Sequence, residues 1–195
     1  MPCSIYLASR SPRRAELLEQ IGVGFSVVPS DIDESQLSDE KPDDYVLRLA
    51  KTKAQVCRDN LLKGGHVDRP VLAADTTVSI EGHILGKPAD AEEARQMLEL
   101  MSGRWHEVLT GLAIATTDGV DAAISITRVE MGNLTDDEIQ AYIRSGEPFD
   151  KAGAYGIQGL ASTFIKRIEG SYSGVMGLPI YETAQLLKRA GVQVL

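Results

Sequence analysis

The chain has 195 residues, 43% of them hydrophobic, and its 20 basic side chains against 28 acidic ones give a formal net charge of −8. That length and apolar content suit one large domain or two modest lobes around a shared core, and they exclude disordered, collagenous and mucin-like classes. The acidic balance argues against nonspecific binding to nucleic acid or to an anionic membrane, so any local cluster of cations stands against the overall trend. The two cysteines, Cys3 and Cys57, form no CxxC and no Cys/His metal spacing, which disfavours structural zinc or a disulfide framework and favours a reducing compartment. No charged region followed by an apolar stretch and a cleavage site opens the chain, and no apolar run approaches the ~20 residues of a membrane span. A cytoplasmic protein is expected.

Ser4 to Ala8 reads as a short buried strand. It runs into Ser9, Arg10, Ser11 and Pro12, and then into an amphipathic helix carrying Ala15, Leu17, Leu18 and Ile21. Ser11 suits its N-cap, Pro12 its first position and Gly22 its stop. A second strand, Phe25 to Pro29, leads to the acidic loop Asp31-Ile32-Asp33-Glu34. Asp43 to Lys63 predicts a long helix with Val46, Ala50, Cys57 and Leu61 on one face. Val71 to Asp75 is a further apolar run, followed by a hairpin turning near Glu81-Gly82. Asp90 and Glu93 have capping-box spacing ahead of a helix that stops near Gly103. Two longer strands, Glu107 to Thr117 and Val120 to Met131, flank the hairpin signal Asp118-Gly119. Thr135 and Glu138 repeat the capping box before a helix ending near Gly146. The stretch from Ala152 to Gly177 is glycine-rich with strand-like pieces, and Tyr181 to Ala190 closes the chain as a helix. Helices and hairpins mixed in this way predict an α/β fold with a mixed sheet.

Six groups of residues carry chemistry. A strand that enters a helix presents unpaired backbone N–H groups to whatever lies in front, and the helix dipole favours anions there. Arg13 and Arg14 nevertheless occupy the first turn, where acidic side chains are normal. A phosphate chain in front of Ser9, Ser11, Arg13 and Arg14 would make that placement favourable; otherwise the two arginines are solvated and pair with Glu16 or Glu19. Asp75 closes the run Val71-Leu72-Ala73-Ala74, which places it at a strand end as a metal ligand, a general base or a turn cap. Glu34 offers a second carboxylate suited to an oxygen-ligated divalent ion, although Asp31 and Asp33 compete with it and a solvated acidic turn is the plainer reading. Lys53 lies on the apolar face of its helix, where it either snorkels to the rim or points into a cavity. Lys87 reads as exposed beyond the hairpin. The glycines between Asp150 and Gly159 allow close backbone approach to a ligand, with Gln158 able to bond a base edge, or else mark a tight bulged strand.

Other chemistries find no footing. His66, His83 and His106 make no metal spacing and read as surface or structural residues. No GxSxG elbow, Walker A loop or GxGxxG fingerprint occurs, and Met97 and Met101 read as core.

In chain order, Leu7 to Arg14, Asp33-Glu34, the Lys53 helix, Ala74-Asp75-Thr76, Gly86-Lys87-Pro88 and Asp150 to Gly159 resemble the blocks of the Maf family of nucleoside triphosphate pyrophosphatases. Each block alone is weak, whereas the ordered set is specific and covers nearly the whole chain. The resemblance implies a single domain over residues 1–195. It implies an elongated α/β mixed sheet with two lobes around a central cleft, similar to inosine triphosphate pyrophosphatases. It also implies hydrolysis of a nucleoside triphosphate to the monophosphate and pyrophosphate with Mg²⁺ or Mn²⁺, and a homodimer. By position, Asp75 matches the general base, and Ser9, Arg13, Arg14, Glu34, Lys53 and Lys87 match phosphate- and metal-handling residues. The dTTP/UTP subfamily carries Arg, Thr and Gln where this chain has Arg13, Thr76 and Gln158, whereas the 7-methyl-GTP subfamily carries Trp, Gln and Glu. Arg10 and Ala74 depart from the commoner family residues. The resemblance leaves three roles open: hydrolysis of canonical pyrimidine nucleotides, removal of modified ones, and nucleotide-dependent regulation of cell division with little catalysis.

Overall fold

The computed structural model describes residues 4–194, so Cys3 lies outside the described residues. Among these, the strands are β1 (Ile5–Leu7), β2 (Phe25–Val27), β3 (Val71–Ile80), β4 (His83–Leu85), β5 (Trp105–Thr116), β6 (Gly119–Met131) and β7 (Ile165–Glu169). They form one sheet in the order β2-β1-β3-β5-β6-β7, with β4 paired to β3 off that path. Pairing is parallel only where a helix supplies the crossover. Helix α1 (Pro12–Gln20) joins β1 to β2, and α2 (Pro42–Lys63) joins β2 to β3. The remaining ladders are antiparallel, so the sheet is mixed as its sequence predicts.

The local signals act as their chemistry requires. Asp90 accepts the Glu93 N–H at the start of α3 (Ala91–Met101), and Thr135 and Glu138 form the reciprocal capping box at the start of α4 (Asp136–Arg144). Glu81 and Gly82 both take positive φ, 52° and 82°, which is the left-handed pair a two-residue hairpin needs to match strand twist. Helix α5 (Tyr172–Val175) is a single turn, and α6 (Ile180–Arg189) closes the fold.

Three expectations are corrected. Ser11 occupies the N-cap position of α1, but its side chain makes no capping bond. Strand β3 runs on to Ile80, because β-branched Thr76, Thr77 and Val78 continue it and β5 pairs with it from Val71 to Ser79. Asp75 therefore lies inside a strand, not at its end. The glycine-rich stretch is mostly short 3₁₀ turns, with a strand only at Ile165–Glu169, since Gly153 and Ala154 at φ of 68° and 58° turn the chain there.

The sheet sorts its side chains by parity. Val71 and Ala73 face α2 with Ala50, Ala54 and Cys57, while Leu72 and Ala74 face α1 and α6 with Leu18, Leu178 and Leu186. A third cluster at the other end of the long strands joins α3 and α4 through Leu98, Met101, Met131 and Ile139. The α2 face is built from small residues, so helix and sheet approach closely. At Gly111 the approach is extreme. A Cβ there would stand 2.4 Å from the Val46 carbonyl oxygen and 2.9 Å from the Leu47 nitrogen, both backbone atoms of α2.

Gly111 is paired with Asp75 in the ladder, so its missing side chain and the Asp75 carboxylate face the same helix. Gly111→Ala is expected to lift α2 and destabilise the fold by about 2–3 kcal/mol, the usual scale of overpacking a closed interface. Urea denaturation reads this directly, and an unchanged midpoint would contradict the close seating of α2.

Candidate active site

Strand β1 leaves the sheet after the Ala8 N–H bonds the Leu72 carbonyl at 2.8 Å. The next residue on β3 to gain a partner on that edge is Val78, paired with Leu85 of β4. Between them the edge of β3 is open, and the residues of interest gather around this gap.

On the α1 side, Ser9 holds the turn into the helix. Its Oγ accepts from the Ser11 N–H and from Arg14 Nη1, each at 3.1 Å. Arg14 donates further from Nε to the Gly177 carbonyl at 2.8 Å and from Nη2 to Thr76 Oγ1 at 3.1 Å. Burial draws the Arg14 guanidinium below its ordinary pKa, with Asp75 opposing. The alternative pairing with Glu16 or Glu19 does not occur; Arg14 is spent inward. Arg13 makes no ion pair among the described residues and lines the cavity in front of it.

On the α2 side, Lys53 points inward. Its Nζ lies 2.6 Å from Asp75 Oδ1 and 2.7 Å from Glu34 Oε1. Lys53 and Asp75 are 9% and 8% exposed, deep enough that their charges are scarcely hydrated. Desolvation pushes the Asp75 carboxyl above the usual carboxylate range, and the Lys53 ammonium pulls it back. The loop rivals of Glu34 are accounted for. Asp31 pairs with Arg10 in solvent, and Asp33 accepts the Ser35 N–H within the loop. Arg48 fixes the loop through Glu40 and the Ser35 carbonyl, and the Tyr45 hydroxyl donates to the Glu34 carbonyl at 3.0 Å.

Both sides open onto one cavity of about 860 Å³. Ser9, Ser11, Arg13, Arg14, Glu34 and Lys53 line it, and so do Asp75, Thr76, Lys87 and Gln158. All residues singled out in the sequence thus meet in one place. Tyr45 and Lys151 also line it and had not been singled out. Lys151 sits inside a glycine-rich segment whose small residues drew attention away from it, and Tyr45 lies on a helix whose pattern marks only its apolar face.

The donor set bears on a divalent ion. Among the described residues no group of three or more His, Cys, Asp or Glu side chains converges. Glu34 and Asp75 do converge on one cationic centre, now the Lys53 ammonium. Mg²⁺ is ordinarily held by one or two carboxylates plus phosphate oxygens and water. The pair therefore fits an ion that arrives with a phosphate chain, and not a dedicated protein cage.

The model of the Maf-like protein family matches residues 4–190. The chain belongs to that family. It is 63% identical over 190 residues to the dTTP/UTP pyrophosphatase of Methylobacillus flagellatus, covering 97% of this chain and 94% of that one. It is 52% identical over 195 residues to the dTTP/UTP pyrophosphatase of Ralstonia nicotianae, covering 96% and 94%. Among solved structures, the Ham1 protein of Staphylococcus aureus overlaps 65% of this chain and 71% of its own, at 13% identity and a TM-score of 0.43.

The wall carrying Gln158 is braced from behind. Glu147 accepts from the Leu160 N–H at 2.9 Å and from the Tyr142 hydroxyl at 2.9 Å, while the Gly156 N–H donates to the Tyr142 oxygen at 3.2 Å. A Cβ at Gly159 would stand 2.3 Å from the Glu147 carboxylate, so only glycine admits this brace. Tyr155, in the same wall, meets the buried His106 with 2.7 Å between hydroxyl and Nε2. Among the described residues His106 Nδ1 has no partner, and burial lowers the imidazole from 6.5 to about 4. Cys57 is inert by comparison, since burial pushes its thiol up to about 11.

His106 makes stability depend on pH. Its native form resists protonation, so its contribution is complete above about pH 6.5 and is lost as pH falls towards about 4, a difference of about 3 kcal/mol. Urea midpoints measured from pH 7 to 4 should fall more steeply for the native chain than for His106→Phe. Parallel curves would mean that His106 titrates normally.

Proposed function

We propose that the protein hydrolyses dTTP and UTP to the monophosphate and pyrophosphate. The reading draws on membership of the Maf-like family and on relatives of high identity that bear this activity in their names. The observation that carries it is a desolvated carboxylate, Asp75, in a cavity that also presents Arg13, Arg14, Lys53 and Lys87, in a protein of net charge −8.

The triphosphate lies along the start of α1. Arg13, Lys87 and Lys151 have side chains lining the cavity to meet its oxygens, and Arg14 contributes from a fixed position beneath. Asp75 takes the proton from the water that attacks the α-phosphorus, and its raised affinity for a proton suits that task. Lys53 keeps Asp75 ionised before the proton arrives and balances Glu34 beside it. Glu34 and Asp75 would hold Mg²⁺ or Mn²⁺ carried in on the phosphates; when bound, the ion neutralises charge developing on the departing pyrophosphate. At the far wall, the Gln158 carboxamide offers a donor and an acceptor side by side. That is the complement of the N3–H and O4 which uracil and thymine share, so one amide serves both bases. Arg13 and Thr76 complete the residue set of the pyrimidine subfamily. The single domain with two lobes, the homodimer and the cytoplasmic location implied by the resemblance belong to the same proposal, and so does action on modified pyrimidine nucleotides.

The test is pyrophosphate release from a nucleoside triphosphate panel with Mg²⁺ or Mn²⁺. Native protein should act on dTTP and UTP first, and Asp75→Asn should lose about 10²–10⁴ in kcat, the range for an acid–base group. Nucleotide binding without release from any member of the panel would sink the hydrolytic reading and leave a binding regulator.

A further inference from the structure

Thr110 is fully buried in the middle of β5, directly opposite Thr76 in the ladder. Its Oγ1 lies 2.8 Å from the Gly174 carbonyl oxygen and 2.9 Å from Thr76 Oγ1. The direction of these bonds follows from counting hydrogens. A hydroxyl has one hydrogen, and a carbonyl can only accept, so Thr110 donates to Gly174. Thr76 must then donate to Thr110. What remains on Thr76 Oγ1 is lone-pair density, and Arg14 Nη2 donates to it at 3.1 Å.

The result is a one-way chain from Arg14 through Thr76 and Thr110 to Gly174. It closes on itself, because Arg14 Nε donates to the Gly177 carbonyl at the other end of the same short turn. Gly174 is in turn fixed by its own N–H, which donates to Ser171 Oγ at 3.0 Å. Every link except the Arg14 guanidinium and one face of Thr76 is closed to water. If the Thr110 hydroxyl is removed, the Gly174 carbonyl keeps only its backbone donor, the Gly177 N–H at 3.0 Å. The Thr76 hydrogen also becomes free to rotate towards Arg14, donor against donor.

We propose that Thr110 is a positioning residue for Arg14, acting through Thr76: it fixes the Thr76 hydroxyl as an acceptor and so holds the guanidinium at the cavity floor. This rests on the reading of the cavity as a nucleoside triphosphate site. Thr110 itself does not line the cavity. An effect on ligand must therefore pass through its neighbours, and removing Arg14 separates the route through the guanidinium from one through Thr76 alone.

A double-mutant cycle tests it with UTP. Two readouts are used, kcat/KM for pyrophosphate release and UTP affinity by calorimetry, the latter in an Asp75→Asn background so that the nucleotide survives the titration. Thr110→Val should lower both by about 10- to 100-fold, the scale of a lost hydrogen bond to a charged group. Thr110→Ser, which keeps the hydroxyl, should stay within about threefold of the native chain on the same scale. In an Arg14→Ala background, Thr110→Val should cost less than about twofold, because the group it positions is gone. Native-like values for Thr110→Val would overturn the proposal. So would an equal loss with and without Arg14, which is what a merely structural role predicts. If the native protein releases no pyrophosphate from any nucleotide, the proposed hydrolysis fails, and the affinity cycle still decides the role of Thr110. If Thr110→Val does not fold, Thr110→Ala removes the same hydroxyl with less bulk, and an equal loss with and without Arg14 there overturns the proposal equally.

Discussion

The site exists because one strand has no neighbour along part of one edge. Strand β1 pairs with β3 only through Leu72, and β4 pairs with it only from Val78. In an unbroken sheet the two faces of β3 are separate worlds, one against α1 and α6, the other against α2. At the gap they communicate. Asp75 reaches Lys53 on the α2 face, Thr76 reaches Arg14 on the α1 face, and both side chains line the same cavity. Two adjacent residues of one strand thus bring groups from two helices to bear on a single ligand. Open backbone at such a gap would otherwise be a liability, and here it is shielded by the cavity walls instead of by another strand.

The electrostatics follow from that depth. An ion pair as buried as Lys53 and Asp75 contributes little net stability, because desolvation offsets most of the attraction. Its value lies in keeping a carboxylate charged in a place that would otherwise protonate it, with Glu34 as a second partner for the same ammonium. Of the cations at the cavity, Arg13 and Lys87 make no ion pair among the described residues, whereas Arg10 pairs with Asp31 and Lys151 with Asp150. An acidic protein can therefore still offer unpaired cations, Arg13 and Lys87, to an anionic ligand.

What the sequence made legible was local. The Thr135-Glu138 capping box, the Asp90 cap and the Glu81-Gly82 turn depend on residues a few positions apart and are where their chemistry puts them, while the second hairpin turns at Thr117-Asp118, one residue before the Asp118-Gly119 expected. The family blocks carried the site residues as well, and these converge on one cavity. What could not be read depends on contacts across the fold. Asp75 looked terminal because the apolar run stops there, whereas the strand is extended by pairing with β5. Glu34 could not be separated from Asp31 and Asp33 until the Arg48 and Tyr45 anchors showed which carboxylate faces Lys53. Thr110 was invisible, since a buried threonine in a strand is ordinary until its hydroxyl is traced to Gly174 and Thr76.

The height of α2 above the sheet ties the packing to the chemistry. Lys53 lies two helical turns beyond Val46, on the same face, and Val46 is the residue whose backbone rests on Gly111. Any side chain at Gly111 would raise the helix at the point where the ladder holds Asp75. The alanines and Cys57 along the rest of the contact keep the helix low over its length. A lysine that spans only a few ångströms between Asp75 and Glu34 has little tolerance for such a shift, since an ammonium moved by 1 Å from a 2.6 Å contact leaves a buried carboxylate half-satisfied. The small residues that look like plain core are thus part of the site, and the precision of the Lys53 bridge is inherited from how closely a helix can sit on a strand without side chains between them.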